Sequence, residues 1–339
     1  MTVGDFEKGS GHNLTALDCG IFGLCIGDAL GVPVEFRTKG DLTADPVEDM
    51  VGYGTHHKPP GTWSDDTSMA LCLADSLAHS DGIDYADIMR RFSDWLNKSE
   101  YTSDGRTFDA GITCARAIRR FDQGTEALLC GDTAERSNGN GSLMRILPLV
   151  FYLHTKGVPV QSEAGLDIIH NVSALTHAHP RSKMSCATYC RCAELLMTDS
   201  VNKMPVQEMQ MAIQDLLTYY SAKPGYNEEV ELFSDLTQQG FPAAYAGQTG
   251  STGYVIDTLK TALWCLWTGN TYRDTVLTAV NLGGDTDTNA AVAGGLAGIW
   301  YGLATDRKPQ GIPETWVEQI VNRALIERIC HDLSYQLGF

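Results

Sequence analysis

The sequence has no CxxC pair, no cluster of lysine and arginine, and no uninterrupted apolar run near the ~20 residues that a bilayer span requires. Without the first, a zinc ribbon or thioredoxin-like motif is excluded. The ten cysteines are scattered from Cys19 to Cys330, and Cys190 and Cys192 stand too close for a zinc knuckle. They read as small buried apolar residues in a reducing compartment. Basic residues number 25 against 42 acidic ones, a formal charge of −17. That balance works against nucleic acid as a partner, because a phosphate backbone calls for clustered cations. It also means that an anionic ligand needs a local site built against the overall field. The opening residues, Met1 to Asn13, carry Asp5 and Glu7 and no apolar stretch, unlike a signal peptide. The expectation is a cytoplasmic protein that engages no membrane.

Alternating strand patterns are missing too, which argues against a parallel-sheet fold. What is present is helical periodicity. Leu71, Leu73, Ala74, Leu77 and Ala78 share one side of a segment that begins near Asp65. Ile88, Met89, Phe92, Trp95 and Leu96 do the same behind Asp84, a suitable N-cap. Further helices are expected from about Phe108, Ser142, Ser162, Pro180, Pro205, Thr252, Tyr272, Asp287 and Pro313. Short apolar runs such as Gly31 to Phe36 suit extended loop segments, and the long connection from Pro224 to Gly250 suits a short helix over Asn227 to Thr237. No linker, heptad or repeat divides the chain. The expected architecture is all-α: a loose segment over residues 1–13, then one compact multi-helix domain over residues 14–339.

Two acidic motifs stand at expected helix starts, Thr62-Trp63-Ser64-Asp65-Asp66-Thr67 and Gly283-Gly284-Asp285-Thr286-Asp287-Thr288. Capping alone explains one such side chain per helix, but each motif has two acids. If the fold joins them, four carboxylates repel one another unless protonated or neutralised by cations. Hard divalent cations prefer carboxylate and hydroxyl oxygen, and Ser64, Thr67 and Thr288 offer the latter. No His or Cys stands at ligand spacing, which favours magnesium or manganese over zinc. In Gly27-Asp28-Ala29-Leu30-Gly31-Val32-Pro33-Val34-Glu35, glycine and proline leave Glu35 at a loop edge, free to act as a base or hold a water. Asp28 reads as a residue that bonds backbone. The glycine-rich turn from Ser137 to Arg145 can present N–H groups to a phosphate, although Asn-Gly pairs are also ordinary turn residues. His177, in Leu175-Thr176-His177-Ala178-His179-Pro180, is either a ligand contact or a structural histidine.

Taken together, GDALGVPVE, GTWSDDTSMAL, FDAGITCARAIRR, SNGNGSLMRILPL, LTHAHP, GYVIDTLKTALW and NLGGDTDTNAAVAGGLAG resemble the ADP-ribosylglycohydrolases, in family order from about Gly20 to about Gly302. The resemblance implies an all-α fold with two Mg2+ or Mn2+ ions in a cleft. It implies metal ligands at Ser64, Asp65, Asp66, Asp285, Asp287 and Thr288, with Ser64 standing where many relatives have threonine. Glu35 falls on a catalytic or water-positioning carboxylate. Gly139, Gly141, Ser142 and Gly284 fall on substrate-binding positions, His177 on a polar ligand contact, and Tyr254 on the aromatic that stacks on adenine; a core role for Tyr254 fits equally. Asp109 matches a carboxylate of the arginine-specific branch, with helix capping as its rival reading. The implied partners are ADP-ribose, an ADP-ribosylated protein, modified on arginine rather than serine, and an ADP-ribosyltransferase whose product would be undone. Hydrolysis of ADP-ribosylserine or poly-ADP-ribose, ADP-ribose binding without turnover, and metal-dependent phosphoester hydrolysis are the alternatives.

Overall fold

The computed structural model describes residues 15–198, 204–246 and 252–339, and residues 1–13 lie outside them. The chain forms α1 (Ala16–Gly31), α2 (Lys39–Ala44), α3 (Asp65–His79), α4 (Tyr85–Lys98), α5 (Ile112–Asp122), α6 (Pro148–Thr155), α7 (Glu163–Ala174) and α8 (Pro180–Thr198). There follow α9 (Val206–Ser221), α10 (Phe241–Tyr245), α11 (Val255–Thr268), α12 (Tyr272–Val280), α13 (Thr286–Tyr301), α14 (Glu314–Gln319) and α15 (Arg323–Leu337). Among the described residues there is no sheet, only isolated bridges. The fold is therefore all-α.

At the centre α1 and α13 run in backbone contact. A Cβ on Gly27 would stand 2.5 Å from the carbonyl carbon of Ala290, and one on Gly23 would stand 3.0 Å from the Cα of Gly298. Glycine is needed there because the helices leave no room for a methyl group. From Leu17 onward every residue of α1 is buried except half-buried Asp18. By length and mean hydropathy of 1.6, residues 16–34 would suffice to cross a bilayer. Here that apolar surface lies inside the protein, against α13, which is buried from Thr286 to Ile299.

The last turn of α1 organises what surrounds it. Asp28 reaches the start of α3, accepting from the Ser64 N–H (2.9 Å), the Thr67 N–H (3.1 Å) and the Thr67 hydroxyl (2.6 Å). Its role is thus the backbone bonding expected of it. Gly31 meets the start of α13, where the Thr286 hydroxyl donates to the Gly31 carbonyl at 2.8 Å. One helix end thereby gathers two helix starts that are more than 200 residues apart in sequence.

Several elements differ from expectation. Val32–Val34 form a 3-10 turn rather than an extended run, because Pro33 sits in its first turn and presets the backbone angle. The helix expected near Ser142 begins at Pro148, after a 3-10 turn over Asn140–Ser142. The short helix expected over Asn227 to Thr237 is a 3-10 segment over Val230–Thr237. Asp84 caps its helix as expected, Ser162 caps the helix expected to start near it, and all ten cysteines are buried and unpaired.

Candidate active site

The starts of α3 and α13 face each other across a cleft of about 310 Å³, lined among others by Glu35, Asp65, Asp109, Gly139, His177 and Asp285. A larger groove beside Arg273 and Asn281 has Glu48 and Asp274 on its lining but no cluster of three acids among the described residues, so chemistry rather than size selects the cleft. Carboxylate oxygens of Asp28, Asp66 and Asp287 lie within 4.8 Å of one another, as do those of Glu35, Asp285 and Asp287. The Ser64 hydroxyl donates to Asp66 at 3.1 Å, and the Thr288 hydroxyl approaches the same oxygen at 3.4 Å. Both acidic motifs therefore meet. Thr67 does not join them, since its hydroxyl is committed to Asp28.

Burial raises Asp65, Asp66 and Asp287 well above the ordinary carboxylate range, and neighbouring carboxylates add to the effect. Burial likewise raises Asp28 to about 6. Helix N-termini favour negative charge, which is why acids are tolerated at these starts. That alone leaves Asp66 Oδ1 and Asp287 Oδ2 buried without a hydrogen-bond partner. Orphaned buried carboxylate oxygens beside hydroxyls form a donor set that fits hard divalent cations.

Glu35 follows the 3-10 turn at the end of α1 and is buried. Its loop is pinned to the second motif, with the Phe36 N–H donating to the Gly284 carbonyl (2.7 Å) and the Gly284 N–H to the Arg37 carbonyl (2.8 Å). Gly284 thus holds the Glu35 loop through its backbone. Burial first, then repulsion from Asp109 and Asp285, raises Glu35 to about 7, opposed by a hydrogen bond with His56. Asp109, raised mainly by burial, lies with Glu35 and His56 in one cluster. It does not cap α5, whose N-cap is Gly111, so the capping reading falls.

His56 carries no expectation from sequence, yet it bonds Glu35 directly. That bond is the main reason its own pKa is raised. The Thr55 hydroxyl also donates to the Glu35 carbonyl at 2.7 Å, so the Gly54–His56 segment covers this carboxylate. A histidine in a Gly/Pro-rich loop, with His57 beside it, gives no signal of a partner 21 residues away.

The opposite wall is the turn around Gly139, stitched to the start of α11. The Asn140 N–H donates to the Gly253 carbonyl and the Val255 N–H to the Asn138 carbonyl, both at 3.0 Å. The Asn140 amide reaches Asp285 at 2.8 Å. His177 is buried behind Gly139 and Gly141, and burial holds its pKa down at about 3, so it is neutral. Arg145, fully buried, donates to the carbonyls of Gly141 and Val172 and fixes the turn from within. Tyr254 is half-buried at the N-cap of α11, with the Arg181 guanidinium 5.7 Å from its ring. Ser142 stands apart from the cleft, its hydroxyl bonded in the core to Ser173 at 3.1 Å and Cys186 at 3.5 Å.

The chain matches the sequence model of a family described as ADP-ribosylglycohydrolase over residues 19–337. It is 30% identical to the ADP-ribosylarginine hydrolase Tri1 of Serratia proteamaculans (strain 568) over 315 residues, 93% of this chain and 78% of that one. It is 32% identical to the ADP-ribosyl-[dinitrogen reductase] glycohydrolase of Rhodospirillum rubrum over 300 residues, 88% and 87% of the two chains. A solved ADP-ribosylglycohydrolase-related protein complex superposes with a TM-score of 0.73 at 29% identity, covering 95% of this chain and 98% of that one.

Proposed function

The chain belongs to the ADP-ribosylglycohydrolase family and is a hydrolase of ADP-ribosyl linkages; we propose that the linkage it cuts is the N-glycosidic bond between ADP-ribose and a modified arginine side chain of a protein. The observation that carries this reading is the meeting of both acidic motifs beside the Glu35–Asp109 pair. The names of two relatives support the arginine linkage, being an ADP-ribosylarginine hydrolase and a dinitrogen reductase glycohydrolase.

Ser64, Asp65, Asp66, Asp285, Asp287 and Thr288 would hold two magnesium or manganese ions. Bound there, they would neutralise the acids and supply Lewis-acid and template chemistry. The turn at Gly139 and Gly141 receives the diphosphate, Tyr254 stacks on the adenine, and neutral His177 supports the turn. Glu35 accepts a proton from the attacking water, the role suited to a carboxylate whose pKa burial lifts toward neutrality. Asp109 pairs with the guanidinium and stabilises positive charge as the anomeric carbon loses its leaving group. The ten buried, unpaired thiols suit a reducing compartment and support a cytoplasmic location.

The test offers the purified protein arginine-, serine- and poly-ADP-ribosylated substrates with magnesium and then with chelator. The expected result is ADP-ribose release from arginine, lost on chelation. Release from serine alone would overturn the arginine reading, and release of inorganic phosphate would overturn the glycosidic one.

A further inference from the structure

Two residues of the cleft wall hold a backbone conformation that their side chains disfavour. Phe36 has φ +66° and Asp109 has φ +55°, both in the left-handed region. A bulky residue there is an outlier, and strain of this kind persists only where the surroundings enforce it. At Phe36 the enforcement is the pair of backbone bonds with Gly284. Yet the Phe36 side chain adds little to the core, for the residue is 66% exposed. Glycine at this position would relieve the backbone and forfeit almost no burial. Neither backbone preference nor core burial accounts for a phenylalanine here.

The ring begins a row that flanks the Glu35–Asp109 pair. Phe36 and His56 have ring centroids 6.3 Å apart, and His56 and Phe108 5.2 Å. At the far end the Lys58 ammonium sits 4.6 Å from the Phe108 centroid, held by Asp104 at 2.7 Å. One end of the row is thus occupied by the protein's own cation, while Phe36 lines the cleft together with Glu35 and Asp109.

We propose that Phe36 binds the leaving group: its ring face receives the guanidinium of the modified arginine while Asp109 faces that group's edge. A guanidinium is planar, weakly hydrated and delocalised, so it stacks on an aromatic face and offers its N–H groups in plane to carboxylates. A serine hydroxyl gains from neither contact. This inference rests on the arginine reading above and names the residue that enforces it over serine.

The test compares wild type with Phe36→Gly, Phe36→Asn, Phe36→Leu and Phe36→Tyr in the presence of magnesium. Glycine and asparagine accept the left-handed backbone, so both variants keep or raise the melting temperature. ADP-ribose affinity stays within about twofold, because the ring touches only the leaving group. With ADP-ribosylarginine, kcat/KM falls about tenfold or more in the Gly, Asn and Leu variants, the size of a cation–π contact, and Tyr restores it. Any cleavage of an ADP-ribosylserine peptide stays unchanged. A Gly variant that matches wild type on the arginine substrate, or that loses ADP-ribose affinity in step with activity, would overturn the assignment. Failure of the underlying reading shows separately, as a wild-type protein that leaves the arginine linkage intact.

Discussion

Gly31→Ala should damage the site without touching any side chain in it. The new Cβ would stand 2.5 Å from the carbonyl carbon of Thr286, and closer still to the Cα and backbone nitrogen of Asp287. Carbon atoms in contact settle at about 3.5 Å, so α1 and α13 must part by roughly 1 Å. Both sides are backbone, so no rotamer change can absorb the clash. Overpacking of this kind costs about 1–3 kcal/mol. For a chain of this length that lowers the melting temperature by roughly 1–4 °C. The displaced backbone carries Asp285 and Asp287 away from Asp66. Because ligand distances tolerate only about 0.2 Å, magnesium affinity should drop at least about tenfold. A misplacement of roughly 1 Å at the reacting centre lowers turnover by about a hundredfold. The assays are thermal denaturation, magnesium titration and ADP-ribose release. Gly40→Ala on exposed α2, whose nearest neighbour is the Thr38 hydroxyl at 3.7 Å, is the control and should be close to neutral. A Gly31→Ala protein with unchanged melting temperature and cation affinity would refute the claim that α1 sets the distance between the motifs.

Three other outcomes are expected. Glu35→Gln should lower kcat by about 10²–10⁴ while calorimetry shows ADP-ribose affinity within a few-fold of wild type, and undiminished turnover would remove Glu35 as the base. Stabilisation by magnesium, read as the melting temperature with cation minus that with chelator, should grow from pH 5 to pH 8. Glu35 and Asp28 are raised to about 7 and about 6, so in the chelated fold they keep protons that the unfolded chain releases above about pH 4. Their share of stability is greatest at the acid end and is lost as pH rises to about 7, and cations reverse that loss by favouring the ionised forms. The buried, neutral His170 and His177 push stability the other way but cancel in the difference, so a stabilisation that shrinks with rising pH would contradict the cation assignment. Tyr254→Ala should weaken ADP-ribose binding by about tenfold, the size of a base–aromatic stack, and leave ribose 5-phosphate binding unchanged.

Much of the helical plan is legible in the sequence, for physical reasons. α4 buries one apolar side behind its cap Asp84, and α3, buried almost throughout, still shows an apolar repeat behind Asp65, so periodicity and the positions of Asp65 and Asp84 locate both. α1 is hidden by the opposite circumstance. It is apolar on all sides and interrupted by Gly20, Gly23 and Gly27, which lowers helix propensity and leaves no stripe to read. Those glycines make sense only against α13, a partner that sequence does not reveal. α15 does carry a stripe, Ile326, Ile329, Cys330 and Leu333, but Asn322 gives its start no side-chain cap. In the site, excess acid marks both motifs, whereas their meeting depends on α1. His56 and Phe36 owe their importance to the fold, which brings one to Glu35 and strains the other. Ser142 shows the reverse, a hydroxyl in a glycine-rich turn that faces the core.

Anomalous scattering from manganese-soaked crystals addresses the central claim most directly. Two peaks between Asp65–Asp66 and Asp285–Asp287, beside Glu35, are predicted, with both lost in Asp66→Ala. Strong peaks elsewhere with none between those acids would contradict the account.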